Sequence, residues 1–165
     1  MAPQEPKFWE KIQKDVWKRC GNDEILGEVQ DIIIVDDYAH NPTKLKAALN
    51  GVRDSYDRRI IAIFQPHRYG RISRLNDEIS KSFSQSDVLI VAPIYAADEA
   101  PIEGVTGEKL AIAIEANGHK NVSYMPSKDQ IVNHLIDIVQ PNDIVITMGA
   151  GDIWRVGYKL LDQLK

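Results

Sequence analysis

One cysteine, Cys20, stands alone in 165 residues. No internal disulfide can form from it, and no zinc-type pair of thiols exists. That usage fits a reducing cytosol. No apolar run approaches the roughly 18 residues of a membrane span, and the opening M-A-P-Q-E-P-K-F-W carries no signal-peptide core. No basic block is present, and 20 Lys and Arg against 24 Asp and Glu leave a net charge of −4. A general nucleic-acid binder is therefore not expected. The chain has no G-x-x-x-x-G-K-[ST], so the usual triphosphate cradle is missing. It has no H-E-x-x-H and no G-x-S-x-G either, which sets aside zinc peptidase and serine hydrolase chemistry. Low-complexity tracts and internal linkers are absent, and the length suits one domain with its own core.

What is present is a soluble composition, 44% hydrophobic and 27% charged, laid out as a repeating strand–helix pattern. Residues 1 to 7 hold two prolines and no periodicity. Phe8, Trp9, Ile12, Val16 and Trp17 place an apolar side on a helix over 8–19, which Gly21-Asn22-Asp23 breaks. A short strand over 24–29 is positioned to pair with Ile32 to Val35. Further strands are expected at 32–36, 59–65, 87–92, 121–125 and 143–148. Between them lie helical faces: Leu45, Leu49, Val52 and Tyr56; Leu75, Ile79 and Phe83; Leu110, Ala113 and Ile114, stopped by Gly118. Ser127 and Gln130 form a capping box ahead of Ile131, Leu135 and Ile138, with Pro141 beyond. Asp152 is placed to cap a last helix carrying Ile153, Val156, Leu160 and Leu164. Alternation of this kind implies an α/β fold with a mostly parallel sheet. We divide the chain into an N-terminal extension, 1–22, and one domain, 23–165.

Parallel strands bring their carboxyl ends to one edge, where ligands bind in open α/β sheets. The stretch D-I-I-I-V-D-D-Y-A-H-N-P, Asp31 to Pro42, runs from a buried strand into a polar turn and then a helix start. It sets Asp36, Asp37, Tyr38, His40 and Asn41 on that edge, with Asn41-Pro42 reading as N-cap and first helical residue. Asp36 and Asp37 can bind a cation or accept from ribose hydroxyls, but neighbours on a strand point to opposite faces, so one ligand is not expected to use both. After the next strand comes Q-P-H-R-Y-G-R, Gln65 to Arg71. Arg68 and Arg71 offer planar, permanently charged forks suited to phosphate oxygens. On a helical turn they share a face, and a helix N-terminus would add to the potential. The competing account makes them solvated surface arginines, with His67 closing a turn. The loop P-I-Y-A-A-D-E-A-P-I-E-G is too long for a bare connection. Gly149-Ala150-Gly151 is either a phosphate-cradling turn or a tight turn ahead of a helix. His119 and His134 are expected at the surface.

Four motifs in order, D-D-Y-A-H-N-P, F-Q-P-H-R-Y-G-R, E-A-P-I-E-G and M-G-A-G-D-I, resemble the C-terminal domain of the Mur ligases, from about Gly27 to the end. The F-Q-P-H-R-x-x-R form resembles the alanine-adding branch more than its recycling relative, the murein tripeptide ligase. The resemblance implies a Rossmann-like three-layer sandwich. It also implies a three-domain enzyme in which an N-terminal domain binds the UDP-sugar and a central domain carries the P-loop for ATP and Mg²⁺. The third domain closes over both and binds the amino acid. ATP then turns the carboxylate of UDP-N-acetylmuramate into an acyl phosphate that the amine of L-alanine attacks, in cytoplasmic peptidoglycan synthesis. On this reading the third domain is inactive alone. By position, Asp36 lies near the nucleotide ribose, with Asp37 and Asn41 on the same cofactor side. Tyr38 and His40 face the reacting centre, and His67, Arg68 and Arg71 meet phosphate of the acyl phosphate or the UDP-sugar. Family members usually carry a second histidine where this chain has Asn41. No metal ligand is assigned within the chain. The alternatives are another Mur ligase domain with a different nucleophile, or a stand-alone Rossmann-like nucleotide-binding module.

Overall fold

The chain is described by a computed structural model over residues 23–165. The helix expected at 8–19 and the extension 1–22 lie outside the described residues. Strand β1 (Asp23–Val29) folds back on β2 (Ile32–Asp37) as an antiparallel hairpin. Its two-residue turn places Gln30 and Asp31 at φ 53° and 60°, the left-handed pair that matches strand twist. From β2 the chain alternates: α1 (Pro42–Ser55), β3 (Arg59–Phe64), α2 (Tyr69–Ser80), β4 (Val88–Val91), α3 (Gly107–Ala116), β5 (Val122–Tyr124), α4 (Lys128–Ile138), β6 (Asp143–Met148) and α5 (Trp154–Leu164). The sheet order is β1-β2-β6-β3-β4-β5, parallel at every pairing except β1 with β2.

Period-two alternation on fully buried strands divides the core in two. Ile33, Val35, Ile60, Ala62 and Phe64 face α1, α2 and α3. Ile32, Ile34, Ile61, Ile63 and Val145 face α4 and α5. Each strand is apolar on both sides because helices cover both. The result is the three-layer α/β sandwich the sequence implies.

The local expectations fare unevenly. Strand β6 spans the expected 143–148, whereas β3, β4 and β5 are trimmed by a residue at one or both ends. Asn41 caps α1 as expected, its Oδ1 accepting from the Lys44 amide at 3.0 Å. Ser127 caps α4. Gly118 closes α3 with its amide on Glu115 O, while His119 N–H reaches Ile114 O, the paired bonds of a Schellman ending. Asp152 does not cap α5: Ile153 occupies the N-cap position without a side-chain bond, and the Asp152 side chain is engaged elsewhere. His119 is half-buried and held by two contacts, not a free surface group. Its Nδ1 accepts from the Asn121 amide at 3.2 Å and its Nε2 lies 2.9 Å from Ser86 Oγ. A backbone amide can only donate, so Nε2 carries the proton.

The helices between β2 and β5 pack on one face and those around β6 on the other. Loops leaving β2 and β3 therefore turn one way while the loop leaving β6, which lies between them, turns the other. Strand order of this kind opens a crevice at the carboxyl ends. That crevice is flanked by Asp36–Asn41 and Gln65–Arg71.

Candidate functional site

The β2 end separates the two aspartates. Asp36 Oδ1 accepts from Thr147 Oγ1 at 2.6 Å on the α5 side. Burial, opposed by that bond and reinforced by the charges of Asp37 and Glu24, raises the Asp36 carboxyl above its ordinary range. Asp37 turns to the opposite side and is 3% exposed. Its Oδ1 accepts from the Ala39 amide at 2.6 Å, and its Oδ2 is buried without a hydrogen-bond partner. The two carboxylates thus do not converge, as the alternation of side chains along a strand requires.

Tyr38 stands out from the turn, 48% exposed, its ring edge-on to His40 with centroids 5.2 Å apart. His40 Nδ1 lies 2.8 Å from Tyr38 O. A carbonyl only accepts, so Nδ1 bears the proton and Nε2 has the lone pair when the ring is neutral. The His67 ring lies across the crevice, its centroid 6.1 Å from that of His40. Arg71 Nη1 donates to His67 Nδ1 at 3.0 Å. Burial, then the positive charges of Arg71, His40 and Arg68, hold His67 below the ordinary imidazole pKa.

Arg68 and Arg71 are not two rungs of one helical face. Arg68 is the N-cap of α2, with φ 67° and ψ 130°, and its side chain is exposed. Its amide donates to Tyr95 O at 2.8 Å and its carbonyl accepts from Ile72 N–H at 3.2 Å. The positive φ is held by bonds on both sides of the peptide, a strained placement of the kind that marks functional loops. The α2 N-terminus is also not an open anion site, because Glu99 Oε2 accepts from the Gly70 amide at 3.0 Å.

The turn after β6 resolves in favour of packing. A Cβ on Gly149 would lie 2.9 Å from Gln65 O, and one on Gly151 would lie 2.5 Å from Gln65 Oε1 and 2.6 Å from Tyr95 Cγ. The glycines admit neighbouring protein, not phosphate. Gln65 Nε2 donates to Asp152 Oδ1 at 2.8 Å, and the Asp152 amide donates to Gln65 Oε1 at 3.0 Å. Lys128 Nζ completes the group 2.9 Å from Asp152 Oδ2. Burial raises the Asp152 carboxyl, but the bonds from Gln65 and Lys128 outweigh it and leave the pKa lowered.

Tyr38, His40, His67 and Arg71 are therefore brought into one chain of contacts, with Arg68 at its rim. Asp36, Asp37 and Asn41 serve the turn beneath it. Sequence reasoning did not single out Tyr95 or Glu99. Tyr95 stacks on His67 with centroids 5.5 Å apart and planes 7° apart, and its amide donates to Pro66 O at 2.8 Å. The signal available was the excess length of their loop.

A family model described as "Mur ligase, glutamate ligase domain" matches residues 24–151. The UDP-N-acetylmuramate–L-alanine ligase of Geotalea uraniireducens is 48% identical over 86% of this chain and 31% of its own length. That of Desulfosudis oleivorans is 50% identical over 82% of this chain and 30% of its own. The chain thus spans about a third of the curated relatives it matches. Among solved structures, the UDP-N-acetylmuramate–alanine ligase of Thermotoga maritima shares the fold at a TM-score of 0.69, with 21% identity over 85% of this chain and 29% of that one. A murein peptide ligase of Psychrobacter arcticus does so at 0.70, with 23% identity over 89% and 30%. A single domain from a Haemophilus ducreyi ligase aligns over 86% of this chain and 98% of its own, with 24% identity and a TM-score of 0.65. Fold and comparisons agree, and the chain belongs to the Mur ligase family, its residues 24–151 matching the glutamate ligase domain.

Proposed function

We infer that this chain is the closing domain of an ATP-dependent ligase that joins L-alanine to UDP-N-acetylmuramate in cytoplasmic peptidoglycan synthesis. It works there with N-terminal and central domains of the same enzyme. The observation that carries the reading is the facing of two motifs across β6, Tyr38–His40 on one side and His67–Arg71 on the other, in a chain nearly half identical to alanine ligases. Residues 23–165 make up this domain, and 1–22 are an extension or part of what precedes it.

The residues present do not fit a complete nucleotide site. The glycine turn is filled, Glu99 occupies an α2 amide, and no group of three His, Cys, Asp or Glu among the described residues could hold a metal ion. The phosphates of ATP and its Mg²⁺ belong to the central domain on this reading, and no step runs through them here. This domain contributes charge and placement. Arg68, exposed and unbent by any ion pair among the described residues, presents its fork to a phosphate oxygen of the acyl phosphate or UDP-sugar. Arg71 steadies His67 beside it. Tyr38 and His40 border the space the amine must enter, and Asp36 lies nearest the ribose, with Asp37 and Asn41 shaping its turn.

The test is a two-dimensional NMR titration of the chain with UDP-N-acetylmuramate, L-alanine and ATP–Mg²⁺, each added separately. The expected result is shifts at Tyr38, His40 and His67–Arg71 on adding the UDP-sugar or the amino acid. Shifts confined to the opposite edge of the sheet, around Ser84 and His119, would overturn it.

A further inference from the structure

We propose that Tyr95 is a positioning residue that, with Arg71, holds His67 as a neutral Nε2–H donor, so that the two imidazoles of the crevice are locked in opposite tautomers. A guanidinium has no acceptor, so the 3.0 Å contact of Arg71 Nη1 with His67 Nδ1 requires a lone pair on Nδ1 and puts the His67 proton on Nε2. His40 is the reverse, with its Nδ1–H spent on Tyr38 O at 2.8 Å and its Nε2 an acceptor. A donor and an acceptor of the same ring type therefore share one crevice, 6.1 Å apart between centroids.

One hydrogen bond does not hold a ring plane, and the His67 plane is set by Tyr95. The two rings are nearly parallel, 7° apart. The inner edge of the Tyr95 ring rests against the Gly151 backbone, where a Cβ would come within 2.6 Å of it, so the ring has no room to move toward that turn. Its own backbone is zippered to the motif: Tyr95 N–H donates to Pro66 O and Tyr95 O accepts from Arg68 N–H, both at 2.8 Å. Glu99 adds a third tie through the Gly70 amide. The long loop after β4 is thus a template for residues 65–71. What His67 offers a ligand is a fixed N–H for an acceptor oxygen, of carboxylate or phosphate chemistry, and not a base. The identity of that oxygen rests on the ligase reading, whereas the tautomer does not.

The experiment is ¹⁵N imidazole spectroscopy of the ligand-free 165-residue chain across pH, which leaves the ligase reading to the substrate titration. The wild type is expected to show His67 protonated at Nε2 with Nδ1 as acceptor, and His40 protonated at Nδ1. Tyr95→Phe should keep this pattern. Tyr95→Leu should bring His67 into a mixture of tautomers and move its titration upward, with backbone amides of β2 and β6 unchanged. A wild-type His67 that is averaged between tautomers or protonated at Nδ1 overturns the proposal, whether or not any variant folds. So does a folded Tyr95→Leu whose His67 neither averages nor shifts.

Discussion

Arg68 shows how a single backbone angle can separate activity from stability. A non-glycine residue at φ 67° and ψ 130° costs about 1–3 kcal/mol. Arg68→Ala keeps that strain, while Arg68→Gly relieves it. The glycine variant is therefore expected to melt above the alanine variant, by about 2–4 °C per kcal/mol recovered, as read by calorimetry. In an enzyme that contains this domain with its preceding domains, both variants should lose about ten- to a hundredfold in kcat/KM, and Arg68→Lys should recover only part. Equal rates in all forms would make Arg68 mere surface. His119 sits at the other end of the sheet, where its contacts bear on stability. Burial, opposed by its bond to Ser86 and by the charge of Asp87, lowers its pKa in the fold. The unfolded value is about 6.5. Its contribution is thus complete above about pH 6.5 and is lost as pH falls from there through the lower folded value. His119→Gln should flatten the fall in thermal midpoint across that acid window relative to wild type. An identical slope would exclude His119 as a source of it.

Elements were legible where one local rule decided them. Strand β6, I-V-I-T-M after Asp143, is buried throughout, and a buried apolar run can be read directly. Asn41 and Ser127 sit where side chain and helix start are three residues apart, a local relation. Asn41→Ala is expected to cost about 1 kcal/mol of stability and Asn41→Asp little, measured by chemical denaturation. Asp152 departs from the expected cap because its partner, Gln65, is 87 positions away. The Gln65 amide and the Lys128 ammonium take the two carboxylate oxygens of Asp152 away from the cap, and nothing near Asp152 in the chain announces them. Glu99 on the α2 amide and Tyr95 on His67 were hidden for the same reason, since a loop's length marks it as occupied without saying by what. The start of α3 is a further tertiary constraint. A Cβ on Gly107 would stand 2.5 Å from the Ala92 carbonyl oxygen and 3.0 Å from Tyr124 Cε2, and a backbone atom has little room to yield. Gly107→Ala should cost about 1–3 kcal/mol, visible as a lower thermal midpoint. An unchanged midpoint would mean α3 can slide.

As a whole molecule the domain has two apolar cores on the faces of one sheet, and neither can melt without exposing the other's strands. Cooperative unfolding is expected, with coincident transitions in far- and near-UV circular dichroism. Isolated ATP–Mg²⁺ affinity should be weak, with Kd of about a millimolar, since the sequence has no P-loop and, among the described residues, the glycine turn after β6 is filled and the Gly70 amide is taken. A micromolar value by calorimetry would contradict the division of the site between domains. The hairpin adds one mechanical consequence. Because β1 runs antiparallel to β2, Asp23 pairs with Asp37, and the chain joins the sheet at the crevice end. A body pivoting about a point on its own rim moves that rim little and its far side a great deal. Rotation about Asp23 would swing the His119 end through the long arc, while Tyr38 and His40, close to the fulcrum, would turn in place.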